Sequence, residues 1–525
     1  MVLSNIIFKL RTNAGMSREK FAEVFEVSHQ AVQKWETGVS VPELGKIVRI
    51  AKYFDISIDA MILGSDARIM DEMAYHKIIK PNYEHRHAWE LYYEDLLVEY
   101  EQSTDEGLDI ERYKELFEAV SNLPRGEIKK KFGDILFEVV MSSSTVDKFK
   151  YIEPSDFENI KIQRKPYSYT TKELSPETLK SKIYGAWFGR IAGCLLGKPV
   201  EGARTIELVP FLQDTGNYPM YRYIHENDVK PEICNKYNFR FNKSCIEGRV
   251  DYMPADDDTN YMVLYQLLIE KYGRDFTSQN VAQLWLDLQP KDAYCTAERV
   301  AFCNFVKGYE PPESALYKNP YREWIGAQIR GDYFGYINPG DPETAADMAY
   351  RDACVSHVKN GIYGEMFVSA MIAVAAVCDD IVDIIEGGLA QIPHGSRLYE
   401  SVRLILDGYK NGVSQQKAFE KIHEMYNEYS PYGWCHTIPN AMIVAAALLY
   451  GEGDFGKSIC MAVETGFDTD CNGATVGSVL GIRGGIECIG EEWTKPLNNK
   501  LETMIFGVGM CSISDRADIT LKHIK

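Results

Sequence analysis

Two stretches of this chain carry glycine at every fourth residue. The first stretch contains Gly185, Gly189, Gly193 and Gly197, and the second contains Gly473, Gly477 and Gly481. This spacing places the glycines on one face of an α-helix, although each costs roughly 0.5–1 kcal/mol relative to alanine. Such a face is expected where another backbone approaches closely. A membrane dimer face is excluded because Lys182, Arg190 and Lys198 interrupt the apolar run. The pattern therefore predicts two closely packed central helices of one bundle.

Acidic clusters open two apolar helical stretches. Asp256, Asp257 and Asp258 form one cluster, and Asp468 and Asp470 form the other. Acidic residues at a helix start can serve simply as N-caps. Carboxylates without basic neighbours otherwise repel one another unless they share a cation, and Mg²⁺ and Mn²⁺ take oxygen ligands. Together with Glu201, which follows the first glycine stretch, these clusters predict a cleft for two ions ~3.5–4 Å apart.

Four motifs follow one another along the chain. They are G-A-W-F-G-R-I-A-G-C-L-L-G-K-P-V-E-G, D-D-D-T, S-H-V-K-N-G and G-F-D-T-D-C-N-G-A-T-V-G-S. Their order resembles the ADP-ribosylglycohydrolase family over about residues 178–525. The resemblance implies a large orthogonal helical bundle, two divalent cations, Mg²⁺ or Mn²⁺, and cleavage of the N- or O-glycosidic bond between ADP-ribose and an acceptor.

The resemblance also implies roles for individual residues. Asp256, Asp257, Asp258, Asp468 and Asp470 match the family's metal ligands. Glu201, Asp257 and Asp258 match its catalytic positions. His357, Asn360, Gly361, Tyr363 and Gln328 match stretches that approach the substrate. Structural alternatives remain for two of these residues, since Glu201 can be merely solvated and His357 can be a buried structural histidine.

Other positions depart from the family pattern or lack a clear role in it. Asp256 replaces a threonine common in relatives, and Cys471 replaces a ligating threonine, so the second ion is expected to be held differently. Arg330 is interpreted as an internal ion-pair partner. Trp434 and His436 are expected to border the adenine side of the cleft.

The N-terminal residues 2–64 divide into five short amphipathic segments. Ser17 and Ser28 are predicted helix caps, and two capped helices joined by a short turn form a helix-turn-helix. The stretch M-S-R-E-K-F-A-E-V-F-E-V-S-H-Q-A-V-Q-K-W-E-T-G resembles lambda-repressor-like domains of the xenobiotic-response-element type. The resemblance implies DNA binding through the major groove, with base or phosphate contacts from His29, Gln30, Gln33 and Lys34.

Charge is distributed unevenly between the two ends of the chain. The net charge is −19 overall, with +1 in residues 1–64 and −20 in the remainder. An acidic body does not attract nucleic acid, so a DNA contact is expected only from the N-terminal piece. A homodimer would let that piece span two half-sites. The alternative is that the module serves only dimerisation or protein contact.

The sequence predicts an all-α protein in three parts. Residues 1–65 form the helix-turn-helix domain, residues 66–177 a helical connecting region and linker, and residues 178–525 the ADP-ribosylglycohydrolase domain. Twelve scattered cysteines without a C-x-x-C pair indicate reduced thiols. No uncharged apolar run of about 18 residues occurs, so we expect a cytoplasmic protein without membrane contact. Two functional alternatives are an ADP-ribose-sensing transcriptional regulator without turnover and hydrolysis of another N-glycoside or nucleotide.

Overall fold

The computed structural model describes residues 2–54, 56, 58, 61, 89–237 and 241–525. The chain divides into two compact units, residues 1–87 and residues 88–525. Among the described helices, none is long and apolar enough to cross a lipid bilayer.

The first unit is a small helical domain. Its described helices are Val2–Asn13, Arg18–Phe25, His29–Glu36 and Leu44–Tyr53. The two predicted caps are confirmed, because the hydroxyl of Ser17 accepts a hydrogen bond from the amide of Lys20 and that of Ser28 accepts one from Ala31. The buried core contains Phe21, Phe25, Val32, Trp35 and Ile50. The fifth predicted segment lies largely outside the described residues.

The second unit is built almost entirely from helices. They are Leu96–Asp105, Lys114–Ser121, Glu127–Ser142, Phe157–Ile162, Pro176–Gly197, Thr205–Asp214, Pro231–Cys234, Asp257–Tyr272, Ser278–Leu288, Thr296–Val306, Glu313–Leu316, Asp332–Tyr336, Pro342–Ala353, Lys359–Ala375, Ile381–Leu389, Arg397–Lys410, Gln415–Met425, Thr437–Tyr450, Phe455–Glu464, Thr469–Gly484, Glu491–Thr494 and Ile513–His523. Two short antiparallel strands, Lys500–Glu502 and Met510–Ser512, pair near the C-terminus. The predicted all-α class is confirmed.

The helices Pro176–Gly197 and Thr469–Gly484 pack backbone against backbone. A Cβ atom added at Gly193 would overlap the carbonyl oxygen of Gly473, and one added at Gly185 would overlap that of Gly481. Gly185 on the first helix therefore faces Gly481 on the second, whereas the later Gly193 faces the earlier Gly473, so the two helices run antiparallel. The close packing predicted from the glycine spacing is confirmed.

Part of the predicted connecting region packs on the helical bundle through buried ion pairs. The Arg322 guanidinium lies 2.9 Å from Glu99, and that of Arg397 lies 2.8 Å from Glu153. All four side chains are at most 10 % exposed. Residues 88–525 therefore form one compact unit, and the domain boundary proposed near residue 177 stays a prediction.

Candidate active site

The antiparallel packing of the glycine helices brings the end of one beside the start of the other. The Thr469 hydroxyl donates a 2.9 Å hydrogen bond to the carbonyl of Gly197. A 3-10 turn, Lys198–Val200, follows directly and leads to Glu201. Because the first helix ends where the second begins, Glu201 and the second acidic cluster share one end of the bundle.

The first acidic cluster arrives on the helix Asp257–Tyr272. The Asp256 carboxylate caps this helix by accepting a 3.0 Å hydrogen bond from the Asp258 amide. Arg190 of the first glycine helix then holds the cluster in place, since its guanidinium contacts the carbonyl of Asp258 and lies 2.9 Å from its Oδ1. Capping by Asp256 and its membership of the acidic cluster are therefore compatible.

Side chains from three helices converge on two adjacent sets of candidate metal ligands. In one set, Cys194, Asp256, Asp258 and Asp470 offer ligand atoms that all lie within 4.8 Å of one another. In the other set, Asp468, Asp470 and Cys471 meet the same limit. Asp470 belongs to both sets, whereas Asp257 belongs to neither.

Three carboxylate oxygens in these sets lack a hydrogen bond, and one of them, Oδ2 of Asp256, is ion-paired with Lys198. Oδ2 of Asp258 and Oδ1 of Asp470 are buried and unpaired. Burying an unpaired carboxylate oxygen is costly unless a cation satisfies it. The donor set therefore fits divalent cations, with the two thiols adding softer ligands than the family pattern provides.

Lys198 lies among the carboxylates, a position that the sequence analysis did not predict. Its ammonium nitrogen is 2.6 Å from Glu201, 2.7 Å from Asp256 and 3.0 Å from Asp470. Burial alone would lower the pKa of Lys198, but these carboxylates raise it well above its ordinary value. The only sequence signal was its place between the glycine series and Glu201.

Several acids near the cluster hold protons more tightly than usual. The charge of Asp470, together with burial, raises the pKa of Glu201 to about 8. Burial, together with Asp256, raises the pKa of Asp257 to about 6. Burial also raises the pKa of Glu298 to about 7, even though Arg330 opposes the shift. The sequence analysis missed Glu298, which no motif marks.

Thiols lie beside the carboxylates of the two candidate ligand sets. Sγ of Cys194 lies 3.4 Å from Asp256, and Sγ of Cys435 lies 3.4 Å from Asp468. Burial raises the pKa of Cys471 well above its ordinary value, so this group is a thiol in the metal-free protein. A bound cation would have to displace that proton.

The acidic cluster opens into a cavity of about 290 Å³. It is lined by Trp89, Asp95, Val98, Glu201, Asp257, Cys295, Thr296, Glu298, Tyr321, Trp324, Ile325, Gly326, Ile329, Pro431, Trp434, Cys435, Asp468, Asp470 and Cys471. Asp257 therefore faces the cavity with Glu201 although it is outside both ligand sets. Aromatic rings and carboxylates dominate the lining.

The five residues predicted to bind substrate are absent from this lining. His357 and Asn360 are buried, with the first bonded to the Ser356 hydroxyl at 2.8 Å and the second to a buried glutamate at 2.8 Å. Gly361 packs against a main-chain carbonyl, the Tyr363 hydroxyl donates to another, and Gln328 accepts a 2.9 Å hydrogen bond from a threonine hydroxyl. The substrate-binding assignment of these five residues stays a prediction.

Two other sequence interpretations can be compared with the structure. Arg330 is fully buried and pairs with Asp352 at 2.7 Å and Glu298 at 3.4 Å, which confirms its internal ion-pair role. Trp434 lines the cavity, whereas His436 is absent from the lining.

The predicted DNA-contacting residues lie on an exposed surface of the helix His29–Glu36. His29, Gln30, Gln33 and Lys34 are exposed, while Val32 and Trp35 of the same helix are buried. Gln33 and Lys34 lie three and four residues after Gln30 and so are its neighbours on the helix surface. The side chains on this face therefore do not pack in the core of the first unit.

Comparison with known proteins identifies the family of the chain. A family model described as ADP-ribosylglycohydrolase matches residues 175–517, and one described as Helix-turn-helix matches residues 7–61. The first match spans more than half of the chain, so the protein belongs to the ADP-ribosylglycohydrolase family.

Individual relatives match mainly at the N-terminus. The helix-turn-helix transcriptional activator BcrR of Enterococcus faecalis is 31% identical over 75 residues, which are 14% of this chain and 37% of that protein. An uncharacterised helix-turn-helix regulator of Rickettsia conorii is 40% identical over 58 residues, 11% of this chain and 46% of that protein. The chain thus spans less than half the length of these relatives. A solved structure described as an ADP-ribosylglycohydrolase-related protein complex is 16% identical, with a TM-score of 0.37, and the match covers 66% of this chain and 98% of that one.

Proposed function

We propose that the protein hydrolyses the glycosidic bond between ADP-ribose and an acceptor, with divalent cations bound at the acidic cluster. The observation that carries this proposal is the convergence of Asp256, Asp258 and Asp470, whose ligand atoms lie within 4.8 Å of one another beside a cavity. Membership of the ADP-ribosylglycohydrolase family supports the reaction class.

Asp256, Asp258, Asp468 and Asp470 would hold the cations, with Cys194 and Cys471 within ligand distance of the same sets. Bound Mg²⁺ or Mn²⁺ would position the ribose hydroxyls and lower the pKa of the attacking water. The unpaired buried oxygens of Asp258 and Asp470 support this donor set. Arg190, which is paired with Asp258, would fix the orientation of that ligand.

Glu201 is suited to proton transfer at the scissile bond. Its side chain is 40% exposed and lines the cavity, and the charge of Asp470 together with burial raises its pKa to about 8 in the metal-free protein, so it holds a proton more tightly than an ordinary carboxyl. Cleavage passes through an oxocarbenium-like state, in which the departing acceptor needs a proton. Asp257 faces the same cavity and, once ionised, would accept a proton from the water.

The helix-turn-helix unit is proposed to bind DNA through the face that carries Gln30, Gln33 and Lys34. Exposure of these side chains and the match to transcriptional regulators support the proposal. Gln can pair with adenine through two hydrogen bonds, and Lys can contact phosphate or guanine. DNA binding would place the hydrolase at a chosen site on the chromosome, and a homodimer would cover two half-sites.

The test is release of ADP-ribose by the full-length protein with Mg²⁺ or Mn²⁺. Substrates are ADP-ribosylated arginine, serine and nucleobase, and product is measured by chromatography. Asp470→Asn is expected to abolish turnover, because Asp470 belongs to both ligand sets. Asp407→Asn is the matched control, since Asp407 is 53% exposed and makes only a 3.7 Å ion pair.

A parallel titration separates catalysis from sensing. DNA affinity is measured by fluorescence anisotropy as ADP-ribose is added. Turnover that Asp470→Asn removes supports the hydrolase. Release of DNA by ADP-ribose without any turnover of the three substrates would instead favour a regulator that only senses the nucleotide.

A further inference from the structure

A segment that precedes the family-matched region forms one wall of the catalytic cavity. The match to the family begins at residue 175, yet Trp89, Asp95 and Val98 line the cavity together with Glu201 and Asp257. Val98 lies on the helix Leu96–Asp105, Asp95 immediately precedes that helix, and Trp89 precedes the 3-10 turn Tyr92–Glu94. We call the range 89–105 the wall segment.

Buried polar contacts hold the wall segment in place. Arg322 lies 2.9 Å from Glu99, and Gln102 donates a 2.7 Å hydrogen bond to Glu323. These four side chains are at most 6% exposed. Removing one member would leave a buried charge or amide unpaired. The wall segment is thus a fixed part of the cavity.

Trp89 is positioned by its surroundings. Its φ is 62°, a left-handed conformation that is unfavourable for tryptophan and persists only where packing holds it. The Arg299 guanidinium lies 4.8 Å from its ring centroid and supports it through a cation–π contact. Trp89 and Val98 also join an apolar cluster with Tyr321 and Trp324.

Two polar atoms at this side of the cavity have unused hydrogen-bonding capacity. Oε2 of Glu298 and Nε1 of Trp324 are buried without hydrogen-bond partners. Asp95 adds a second carboxylate. Arg330 pairs with Oε1 of Glu298 at 3.4 Å from outside the lining, and no lysine or arginine occurs among the described residues that line the cavity. Flat rings and carboxylates together suit a planar group that stacks and donates N–H hydrogen bonds.

We propose that the wall segment forms the acceptor side of the cavity, that Trp89 and Asp95 determine acceptor specificity, and that the preferred substrates are N-glycosides of a planar nitrogen acceptor. The proposal rests on the proposed hydrolysis. Water adds its hydroxyl to C1 of the ribose and gives its other proton to the Asp257 carboxylate, the C1–N bond breaks with its electron pair going to nitrogen, and the departing nitrogen takes up a proton from Glu201. An aliphatic hydroxyl acceptor would leave the ring faces and the carboxylates without partners.

The experiment compares the activities of full-length variants toward three small substrates. These are ADP-ribosyl-arginine, ADP-ribosyl-guanosine linked through nitrogen, and ADP-ribosyl-serine. We expect kcat/KM to be higher for the nitrogen-linked substrates, and Trp89→Ala and Asp95→Asn to lower it about 10- to 100-fold for them. The affinity for the product ADP-ribose, measured by calorimetry, should stay within about twofold, because an acceptor wall contributes little to product binding.

Two variants of the same segment serve as matched controls. Leu97 is 46% exposed, and Glu101 is exposed and accepts a 3.1 Å hydrogen bond from Ser430 that a glutamine can also accept. Leu97→Ala and Glu101→Gln should leave the activity toward all three substrates unaffected. The two nitrogen-linked substrates also distinguish a cationic guanidinium from a neutral nucleobase.

The outcomes separate this inference from the proposed function. If the wild-type protein releases ADP-ribose but Trp89→Ala and Asp95→Asn change nothing, the wall assignment fails and the hydrolase stands. A wild-type preference for ADP-ribosyl-serine, or a loss of ADP-ribose affinity in both variants, also overturns it. If the wild type turns over none of the substrates, the proposed function itself fails.

Discussion

Nζ of Lys198 lies 2.7 Å from Oδ2 of Asp256. The same ammonium group lies 3.0 Å from Asp470, which belongs to both sets of candidate metal ligands. Lys198 and Arg190 therefore supply the positive charges that offset the acidic cluster in the metal-free protein. A divalent cation entering these sets would compete with Lys198 for the same oxygens.

Replacing Lys198 with methionine should destabilise the metal-free protein and increase its response to metal. Asp256 and Asp470 lose their shared cation, and breaking a buried pair typically costs about 3 kcal/mol or more. Thermal unfolding with and without Mn²⁺ measures both effects, and we expect a larger metal-induced rise in Tm for Lys198→Met than for the wild type. Lys180→Met is the control, because Lys180 is 57% exposed and 3.6 Å from its partner. A metal-free Lys198→Met protein as stable as the wild type would contradict this role.

Gly193→Ala should prevent proper packing of the central helices. The added methyl group would overlap the Gly473 carbonyl oxygen, and backbone cannot move aside as a flexible side chain can. We expect a loss of at least about 3 kcal/mol of unfolding free energy in urea titrations, or failure to fold. Gly408→Ala is the matched control, since its methyl group would meet only ordinary contacts at 3.6–3.7 Å. Within a helix that change should stabilise by up to about 1 kcal/mol.

The glycine pairing was predictable from sequence because helix-interior glycines in phase make sense only at a close backbone contact. The helix caps were predictable for a similarly local reason, since Ser17 and Ser28 bond to amides three residues later. Both features depend on spacing within one short stretch.

Lys198 and the wall segment were not predictable in this way. Lys198 meets Asp470 across 272 residues, and Trp89 reaches the cavity through a segment without a recognisable motif. Family motifs led to His357 and Asn360, yet the cavity lining omits both. Residues that reach a site through long-range contacts can be identified only from the fold, because the local sequence does not indicate which distant side chains lie close together.

Glu298 should make stability depend on pH. Its pKa is about 7 in the folded protein against an ordinary value of 4.5, so the folded state binds the proton more tightly than the unfolded state. The contribution of Glu298 to the free energy of unfolding is complete below about pH 4.5. It is lost as pH rises through 7, by up to about 1.4 kcal/mol per pH unit.

The measurement is urea unfolding between pH 5 and 8 in a chelator, for the wild type and Glu298→Gln. We expect the stability of the wild type to fall relative to that of the variant as pH rises to 7. Glu424 is 67% exposed, so the free energy of unfolding of Glu424→Gln should change with pH as that of the wild type does. Parallel curves for Glu298→Gln would show that this carboxyl titrates alike in both states.

Cys471→Thr should shift the metal preference toward Mg²⁺. Cys471 shares a ligand set with Asp468 and Asp470, and sulfur favours softer ions than Mg²⁺. Co²⁺ bound to the wild type should show a sulfur-to-metal charge-transfer band that weakens in the variant. Cys488→Ser, at an exposed cysteine, should keep the band. An unchanged band in Cys471→Thr would show that the sulfur of Cys471 does not coordinate the ion.

Lys34→Ala should weaken DNA binding almost uniformly across sequences and reduce its salt dependence. Lys34 is exposed on the helix His29–Glu36, and a contact with a DNA phosphate there would release counterions on binding. The slope of log K against log salt should fall by about 1. Gln33→Ala should instead relax sequence preference, because Gln reads base edges. Anisotropy titrations over several salt concentrations distinguish the two effects. Lys52→Ala removes the same charge from an exposed position on another helix and should leave the slope unchanged, whereas an equal loss in both lysine variants would mean that only the overall charge of the unit matters.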